Sequence, residues 1–395
     1  MGSTGSIGCS ALSVIEHANN GEETDAVFAI DVLAAGSDVE KLADQAIQFH
    51  PALAVIADES KLPELQARLA HTNIGTAGGH AAVTEAAARP CDRLLAAIVG
   101  SAGLSSTLSA LAVGTDVALA NKESIVCAGP LMLAQAEKSG AHILPVDSEH
   151  NAIFQVFLDR ASIERLTITA SGGPFLNNTI EEMRVATPDQ AKAHPNWDMG
   201  IKNSIDSATL MNKALEFIEA AYLFDMPAEK IDVLVHPQSI VHGMAHYKDG
   251  SVLAQMSAPD MCTPIAHALA WPERIETNVD RLDLAALSRL DFLPVDEAKF
   301  PAIRLAKQAL ALGPGGPAVL NCANEAAVTA YIAGECGFLD ISWVVEETLT
   351  RFSSGQFGDG SYESLEEIAE LDKQGRDVAR NLLQQSRNRG GGKSS

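Results

Sequence analysis

Asp147 and Glu149 lie two residues apart, after an apolar run at 141–146 and before another at 152–158. If strand geometry persists through them, their carboxylates point to one side. Two carboxylates that close repel unless a proton or a cation lies between them. The same pair also suits a solvated acidic turn or a helix N-terminus, where the helix dipole favours acids. Glu216 supplies a third acid. Convergence of the three would make an oxygen ligand set for a hard divalent ion, Mg²⁺ or Mn²⁺, with positions open to water or substrate. No histidine belongs to the set, which argues against zinc. Spacing alone leaves the metal site and the acidic turn both open.

A second group sits on a helix predicted over residues 206–224. Thr209, Asn212, Lys213 and Glu216 share one face of it by spacing. Ser207 falls in its expected first turn, where backbone N–H groups are free to hold an anion. Ser, Asn and Lys there suit a phosphate monoester. The competing reading is a hydrated face carrying a Lys213–Glu216 pair worth a few tenths of a kcal/mol, about 0.2–0.5. Further back, His194 stands in a polar stretch with Trp197 and Met199. Apolar groups on a glycine-flanked segment fit a lid over a ligand, or permanent packing on the domain. His236 and His242 flank a strand and read as structural. Asn324-Glu325 reads as buried polar packing. The run Gly2-Ser-Thr-Gly5-Ser-Ile-Gly8 has the glycine pattern of a dinucleotide turn, but such a turn follows a buried strand and here only Met1 precedes it.

The elements that must position these groups follow from periodicity. Strands are predicted at 26–33, 53–57, 93–99 and 116–120, alternating with helices at 7–18 and 38–49. Alternation of this kind makes parallel βαβ units and a nucleotide-binding type of sheet. A second domain begins near 147, with strands at 163–169, 231–235, 240–246 and 251–256. Residues 271–293 read as a connector. Helices at 300–312, 318–334, 341–351 and 365–385 form a small bundle, and 389–395 is a Gly/Ser-rich tail of disordered type.

The totals narrow the function classes. A length of 395 residues suits two or three domains, and 47% hydrophobic content supplies their cores. The net charge of −23 argues against nucleic-acid or anionic-membrane partners. Cys9, Cys91, Cys127, Cys262, Cys322 and Cys336 contain no CxxC pair and fit reduced thiols in the cytoplasm. No apolar run reaches transmembrane length, and the start lacks the pattern of a signal peptide.

The chain resembles the 1-deoxy-D-xylulose 5-phosphate reductoisomerases nearly end to end. The motifs that carry this are GSTGSIG at Gly2, AAIVGSAGL at Ala96, LANKES at Leu119, PVDSEHNAIFQ at Pro145, SGGPF at Ser171, HPNWDMG at His194, DSATLMNKALE at Asp206, HPQSIVHGM at His236 and LNCANE at Leu320. The resemblance implies an α/β protein: a Rossmann-type N-terminal nucleotide-binding domain (1–146), a central α+β catalytic domain (147–270), a connector (271–297) and a C-terminal helical bundle (298–388). It implies a lid over about 171–201. It places the metal on Asp147, Glu149 and Glu216. Substrate contacts fall to Lys122, Ser148, Glu149, Ser171, His194, Ser207, Asn212, Lys213 and Glu216, with the phosphate on Ser171, Ser207, Asn212 and Lys213. Lys122, Asp147, Glu149, Glu216 and His194 carry catalysis. Cofactor contacts fall to Thr4, Gly5, Ser6, Ile7, Gly36, Asn121, Glu123 and Gly200, with Ser37 and Asp38 beside them.

The implied reaction rearranges 1-deoxy-D-xylulose 5-phosphate with a divalent ion as Lewis acid, then reduces the product with NADPH to 2-C-methyl-D-erythritol 4-phosphate, in non-mevalonate isoprenoid biosynthesis. Mg²⁺ or Mn²⁺, with Co²⁺ as a further candidate, would serve. A cytoplasmic homodimer is implied, acting on a small sugar phosphate and not on nucleic acid or membrane. Three departures stand out. The family has a strand before GSTGSIG, and its absence here is expected to lower stability and displace the pyrophosphate turn. Ser37-Asp38 stands where the family often has a basic residue and Asn, which weakens the preference for NADPH over NADH. Ala214 and Cys262 replace a common glycine and a common basic residue. Two other classes stay open: a simple sugar-phosphate dehydrogenase without the metal triad, and an inactive paralogue or fragment that retains substrate or partner binding.

Overall fold

Short apolar strands, each delivering the chain into a helix, fill the first third of the molecule. The computed structural model describes residues 1–21, 28–192, 200–358 and 360–390. Two compact units divide it. The first gathers Met1–Ser124, Met132–Phe154 and Asp260–Arg281. The second gathers Ile125–Leu131, Gln155–Pro259 and Leu282–Ser395. The expected boundaries divide the chain differently: residues 147–154 and 260–270 lie in the first unit, and the central and C-terminal regions share the second.

In the first unit, β1 (Val32–Ala35), β2 (Leu53–Ile56) and β3 (Gly75–Gly78) form one parallel sheet. β4 (Arg93–Ala96), β5 (Asp116–Leu119) and β6 (Ile143–Pro145) form another. Residues 1–3 bridge the two. The Gly2 and Ser3 amides donate to the Ala34 carbonyl at 2.8 and 2.9 Å. On the other side the Ala97 amide donates to the Met1 carbonyl at 3.1 Å, and the Met1 nitrogen donates to Leu95 at 2.9 Å. The glycine turn is therefore held between the half-sheets rather than displaced, which corrects the expectation. The helices of this unit are α1 (Ser6–Asn20), α2 (Val39–Phe49), α3 (Leu62–Leu69), α4 (His80–Ala87), α5 (Leu104–Ala112), α12 (Cys262–Ala270), the two ends of α6 (Lys122–Ser139), whose Ile125–Leu131 belongs to the second unit, and α7 (Ser148–Val156) as far as Phe154. Helix α6 has a non-helical residue at Ala128, just before Pro130, whose ring and missing N–H break the ladder. Leu42, Ala43 and Ala46 of α2 bury against Leu33, Ala54 and Ile56. Burial of a side chain such as Leu42 contributes about 1.5–3 kcal/mol. On the other half, α12 packs Ile265 and Ala268 on Ala118, Leu144 and Val146.

The second unit has one five-stranded sheet, ordered β10 (Val252–Met256), β9 (Val241–Tyr247), β7 (Ile163–Ala170), β8 (Ile231–Val235) and β11 (Leu293–Pro294). β7 pairs parallel with β8 and antiparallel with β9. Its helices are α8 (Ile180–Arg184), α9 (Pro188–Ala191), α10 (Ile201–Ala208), α11 (Met211–Leu223), α13 (Leu284–Leu287), α14 (Ala302–Ala311), α15 (Gly315–Ile332), α16 (Phe338–Ser353) and α17 (Leu365–Gly390). The last four are the predicted bundle. Leu320, Val328, Ile341, Val344 and Leu349 are buried within it.

Several elements depart from expectation for identifiable reasons. The strand predicted at 26–33 is β1, shifted to Val32–Ala35. The Asn19 side chain accepts from the Phe28 amide and donates to its carbonyl at 2.8 and 2.9 Å, holding that residue out of a strand. β3, α3 to α6 and α12 went unread. β3 is Gly-Thr-Ala-Gly, in which only Thr favours a strand, and β2 pairs with it all the same. The helix predicted from 206 is two helices, α10 and α11, broken at Leu210 in the left-handed region (φ 59°). Thr209 makes the break: its hydroxyl donates to the Ile205 and Asp206 carbonyls and accepts from the Met211 amide. Among the described residues, no helix is long and apolar enough to cross a membrane.

Candidate functional site

The glycine run is built from backbone. Gly2 has φ +83°, and a Cβ there would lie 2.5 Å from the Ala97 carbonyl oxygen. A Cβ on Gly8 would lie 2.3 Å from the Gly2 carbonyl oxygen. Gly5 precedes α1 with no side chain capping the helix. Gly5 and Ser6 are exposed, with Thr4 and Ile7 part-buried beside them. Uncapped N–H groups at an exposed helix start can take an anion. Across the tip of β1, Gly36, Ser37 and Asp38 are exposed too. Asp38 caps α2, its carboxylate accepting from the Lys41 amide at 3.1 Å. Lys41 Nζ donates to the Thr4 carbonyl at 2.9 Å, so a cation stands beside the turn.

The strand ends β5 and β6 bring a second group together in the same unit. Asn121 caps α6 and donates to the Gly100 carbonyl at 2.8 Å, and Glu123 is buried in the first turn. Lys122 Nζ lies 2.5 Å from Asp147 Oδ2, with both side chains largely buried. The strand does not persist through Asp147. It stops at Pro145, and α7 begins at Ser148, so Asp147 and Glu149 flank a helix start. Asp147 Oδ1 accepts from the Ser148 amide at 3.1 Å. The Ser148 hydroxyl donates to the Glu149 carboxylate. His150, fully buried, has Nδ1 3.8 Å from Asp147 Oδ2. Asn151 braces this turn: its amide nitrogen donates to the Pro145 carbonyl at 2.8 Å and lies 3.2 Å from His267 Nδ1 on α12. Burial, aided by the nearby Arg274 charge, pushes the His267 imidazole down to about 4, so it is neutral and accepts. At the head of α12, burial and then Asp260 push the Cys262 thiol up to about 12, so it stays protonated.

The second unit holds the other candidates. Ser207 lies in the last turn of α10, not in a first turn as expected. The helix start in this region belongs to α11, and Asn212 and Lys213 are in its first turn. Asn212 and Lys213 both donate to the Glu216 carboxylate. Lys213 is 4% and Glu216 1% exposed, so the pair is not a hydrated face. Ala214 between them is fully buried. Ser171 directly follows β7, and its hydroxyl accepts from the Gly173 amide at 3.3 Å. Gly173 (φ +67°) packs on α10: a Cβ there would lie 2.7 Å from the Ser207 carbonyl oxygen. A cleft of about 560 Å³ opens beside Ser171, lined by Gly173, Phe175, Asn177, Asn178 and Pro237 among others. Gly200 precedes α10 and is exposed. His194, Trp197 and Met199 lie outside the described residues. His236 and His242 are buried, as a structural reading requires.

Known proteins match this arrangement along almost its whole length. The model of 1-deoxy-D-xylulose 5-phosphate reductoisomerase matches residues 1–129, and those of its C-terminal regions match residues 143–224 and 256–378. A reductoisomerase of Caulobacter vibrioides is 49% identical over 98% of this chain and 97% of its own length. That of Rhodospirillum centenum is 53% identical over 91% of this chain and 88% of its own. The chain belongs to the 1-deoxy-D-xylulose 5-phosphate reductoisomerase family. A family structure from Zymomonas mobilis, in complex with NADPH, superposes with a TM-score of 0.90 at 45% identity over 97% of both chains. Another, in complex with NADPH, fosmidomycin and magnesium, gives 0.88 at 43% over 97% of both.

Membership leaves three features that sequence reasoning missed. The Lys122–Asp147 pair needs β5 beside β6, which spacing does not reveal. His150 sits at i+3 from Asp147, a helical spacing hidden by reading a strand there. Asn324, read as packing, donates to the buried Asp206 carboxylate at 2.8 Å. No signal short of the tertiary fold connects positions so far apart.

Proposed function

We infer that this chain converts 1-deoxy-D-xylulose 5-phosphate to 2-C-methyl-D-erythritol 4-phosphate, using NADPH and Mg²⁺, in non-mevalonate isoprenoid precursor biosynthesis. Identity of 49% to a reductoisomerase over 98% of the chain carries this reading. Relatives named as reductoisomerases that align over nearly their full length do not favour a non-catalytic paralogue. Family structures in complex with magnesium do not favour a metal-free dehydrogenase.

The donor chemistry suits the metal. Asp147, Glu149 and Glu216 offer carboxylate oxygens only, the choice of a hard ion; Mn²⁺ or Co²⁺ would be accepted by the same logic. Within each unit a lysine balances the acid: Lys122 faces Asp147, and Lys213 faces Glu216. When bound, the ion polarises substrate oxygens and NADPH supplies hydride. The chain's own residues then have separable tasks. Lys122 is a fixed, largely buried cation, placed to stabilise developing oxyanion charge. Ser148 and Glu149 orient the substrate beside it. Ser171, Ser207, Asn212 and Lys213 hold the phosphate, remote from the reacting carbons, so that binding energy there fixes geometry. His194 is a further substrate contact. Thr4 to Ile7 take the dinucleotide phosphates, while Gly36, Asn121, Glu123 and Gly200 line the rest of the cofactor.

NADPH oxidation with 1-deoxy-D-xylulose 5-phosphate tests the activity. We expect turnover with Mg²⁺ and none in excess chelator. A folded chain that fails to oxidise NADPH with Mg²⁺ present overturns the activity, and equal rates with chelator overturn the metal. Glu216→Gln is expected to lower turnover by orders of magnitude, and near-normal activity at low Mg²⁺ would remove Glu216 from the ligand set. The same reading carries a cytoplasmic homodimer. Val252 and Leu253, exposed on the edge strand β10, support a protein partner there. The mass in solution, against 41.6 kDa for one chain, checks the dimer.

A further inference from the structure

Asp206 is a buried acid that the reading above does not use. It is 1% exposed, and its two carboxylate oxygens have separate partners. Oδ2 lies 3.0 Å from Lys202 Nζ, one turn earlier on α10. Oδ1 accepts from Asn324 Nδ2 at 2.8 Å. Asn324 comes from the middle of α15 and is fully buried. Its other amide atom, Oδ1, is buried with no hydrogen-bond partner among the described residues. An apolar residue of similar volume would pack α15 without leaving that orphan. The amide is therefore kept against a desolvation cost, and among the described residues the group it serves is Asp206.

The peptide that follows Asp206 is Ser207. Gly173 packs so closely on the Ser207 carbonyl that no side chain fits between them. The end of α10 is thus gripped twice, by the Ser171–Gly173 turn and, through Asp206, by α15. A hydroxyl that must meet a phosphate oxygen within a few tenths of an ångström needs such bracing.

We propose that Asn324 is a positioning residue for phosphate recognition: it holds Asp206, and Asp206 holds Ser207 at the substrate's phosphate. Asn324 itself touches no ligand. The inference rests on the reading that Ser207 contacts the phosphate.

The test uses the full chain with NADPH and Mg²⁺, and inorganic phosphate as a competing probe. Asn324→Ala is expected to raise KM for the sugar phosphate about tenfold, the scale of one unsatisfied buried partner, with kcat within about threefold. Inhibition by inorganic phosphate weakens by the same factor, and KM for NADPH stays unchanged. The double variant Asp206→Asn with Asn324→Asp restores an amide–carboxylate pair, and its KM returns toward the parent value. Ser207→Ala separates the two levels. If it leaves KM and phosphate inhibition unchanged, the phosphate reading itself fails. If it raises both while Asn324→Ala raises neither, the positioning role is overturned. A fall in kcat and in NADPH affinity together, or failure of Asn324→Ala and the double variant alike to fold, makes Asn324 merely structural and also overturns it.

Discussion

Two places in this molecule are proposed to hold phosphate, and they are built in opposite ways. The turn at residues 2–8 is made of backbone: glycines that pack against carbonyl oxygens, and the uncapped start of α1. The region of Ser171, Ser207, Asn212 and Lys213 is made of side chains from the turn after β7 and from α10 and α11, two of them tied to a buried carboxylate. A backbone site depends on what is absent, since any Cβ at Gly8 collides with the chain. A side-chain site depends on what is present elsewhere, because each charged group needs a buried partner. The first is local and intolerant at a few positions. The second is spread out and fails by degrees.

Gly8→Val attacks the backbone site and should have the largest effect. The new side chain begins 2.3 Å from the Gly2 carbonyl oxygen, so something must move. Loss of more than about 3 kcal/mol is expected, with no NADPH binding in a fluorescence titration. Ordinary cofactor affinity in this variant would show that the turn is not the anion site. Lys213→Met attacks the side-chain site. It removes the buried cation that Glu216 pairs with, at about 3 kcal/mol. Urea unfolding should show that loss, and saturating Mg²⁺ should return part of it; a Mg²⁺-independent midpoint would break the link between Glu216 and the metal. The smallest effect is expected for Asp38→Asn. Asn caps a helix as well as Asp does, so Tm should be unchanged. Removing the charge should raise the preference for NADPH over NADH by a few-fold, about 0.5–1 kcal/mol. An unchanged ratio would mean that Asp38 acts as a cap alone.

The contrast also explains what the sequence made legible. Glycines and hydrophobic periods are local, so the turn, α2, β7 and the four C-terminal helices were readable. So was the grouping of Asn212, Lys213 and Glu216, since three- and four-residue spacing is a helical signal. The break at Leu210 was not, because it depends on where one Thr209 hydroxyl turns. That break moved Ser207 from a helix start to a helix end. β3 was hidden because its pairing comes from β2 rather than from its own residues. Lys122 beside Asp147 required strand order, and Asn324 beside Asp206 required the packing of α15 on α10.

The grip of α15 bears on how this chain can be divided or recombined. The Tyr331 hydroxyl donates to the Ala186 carbonyl at 2.9 Å, while Asn324 holds Asp206, so one helix is tied to the backbone before residue 193 and to a side chain after residue 199. The C-terminal bundle is therefore no appendage to be trimmed or traded. A chimera that took residues 171–208 from one family member and α15 from another keeps these ties only where both parents carry matching residues at them. Exchange of the two segments together keeps the pairings intact.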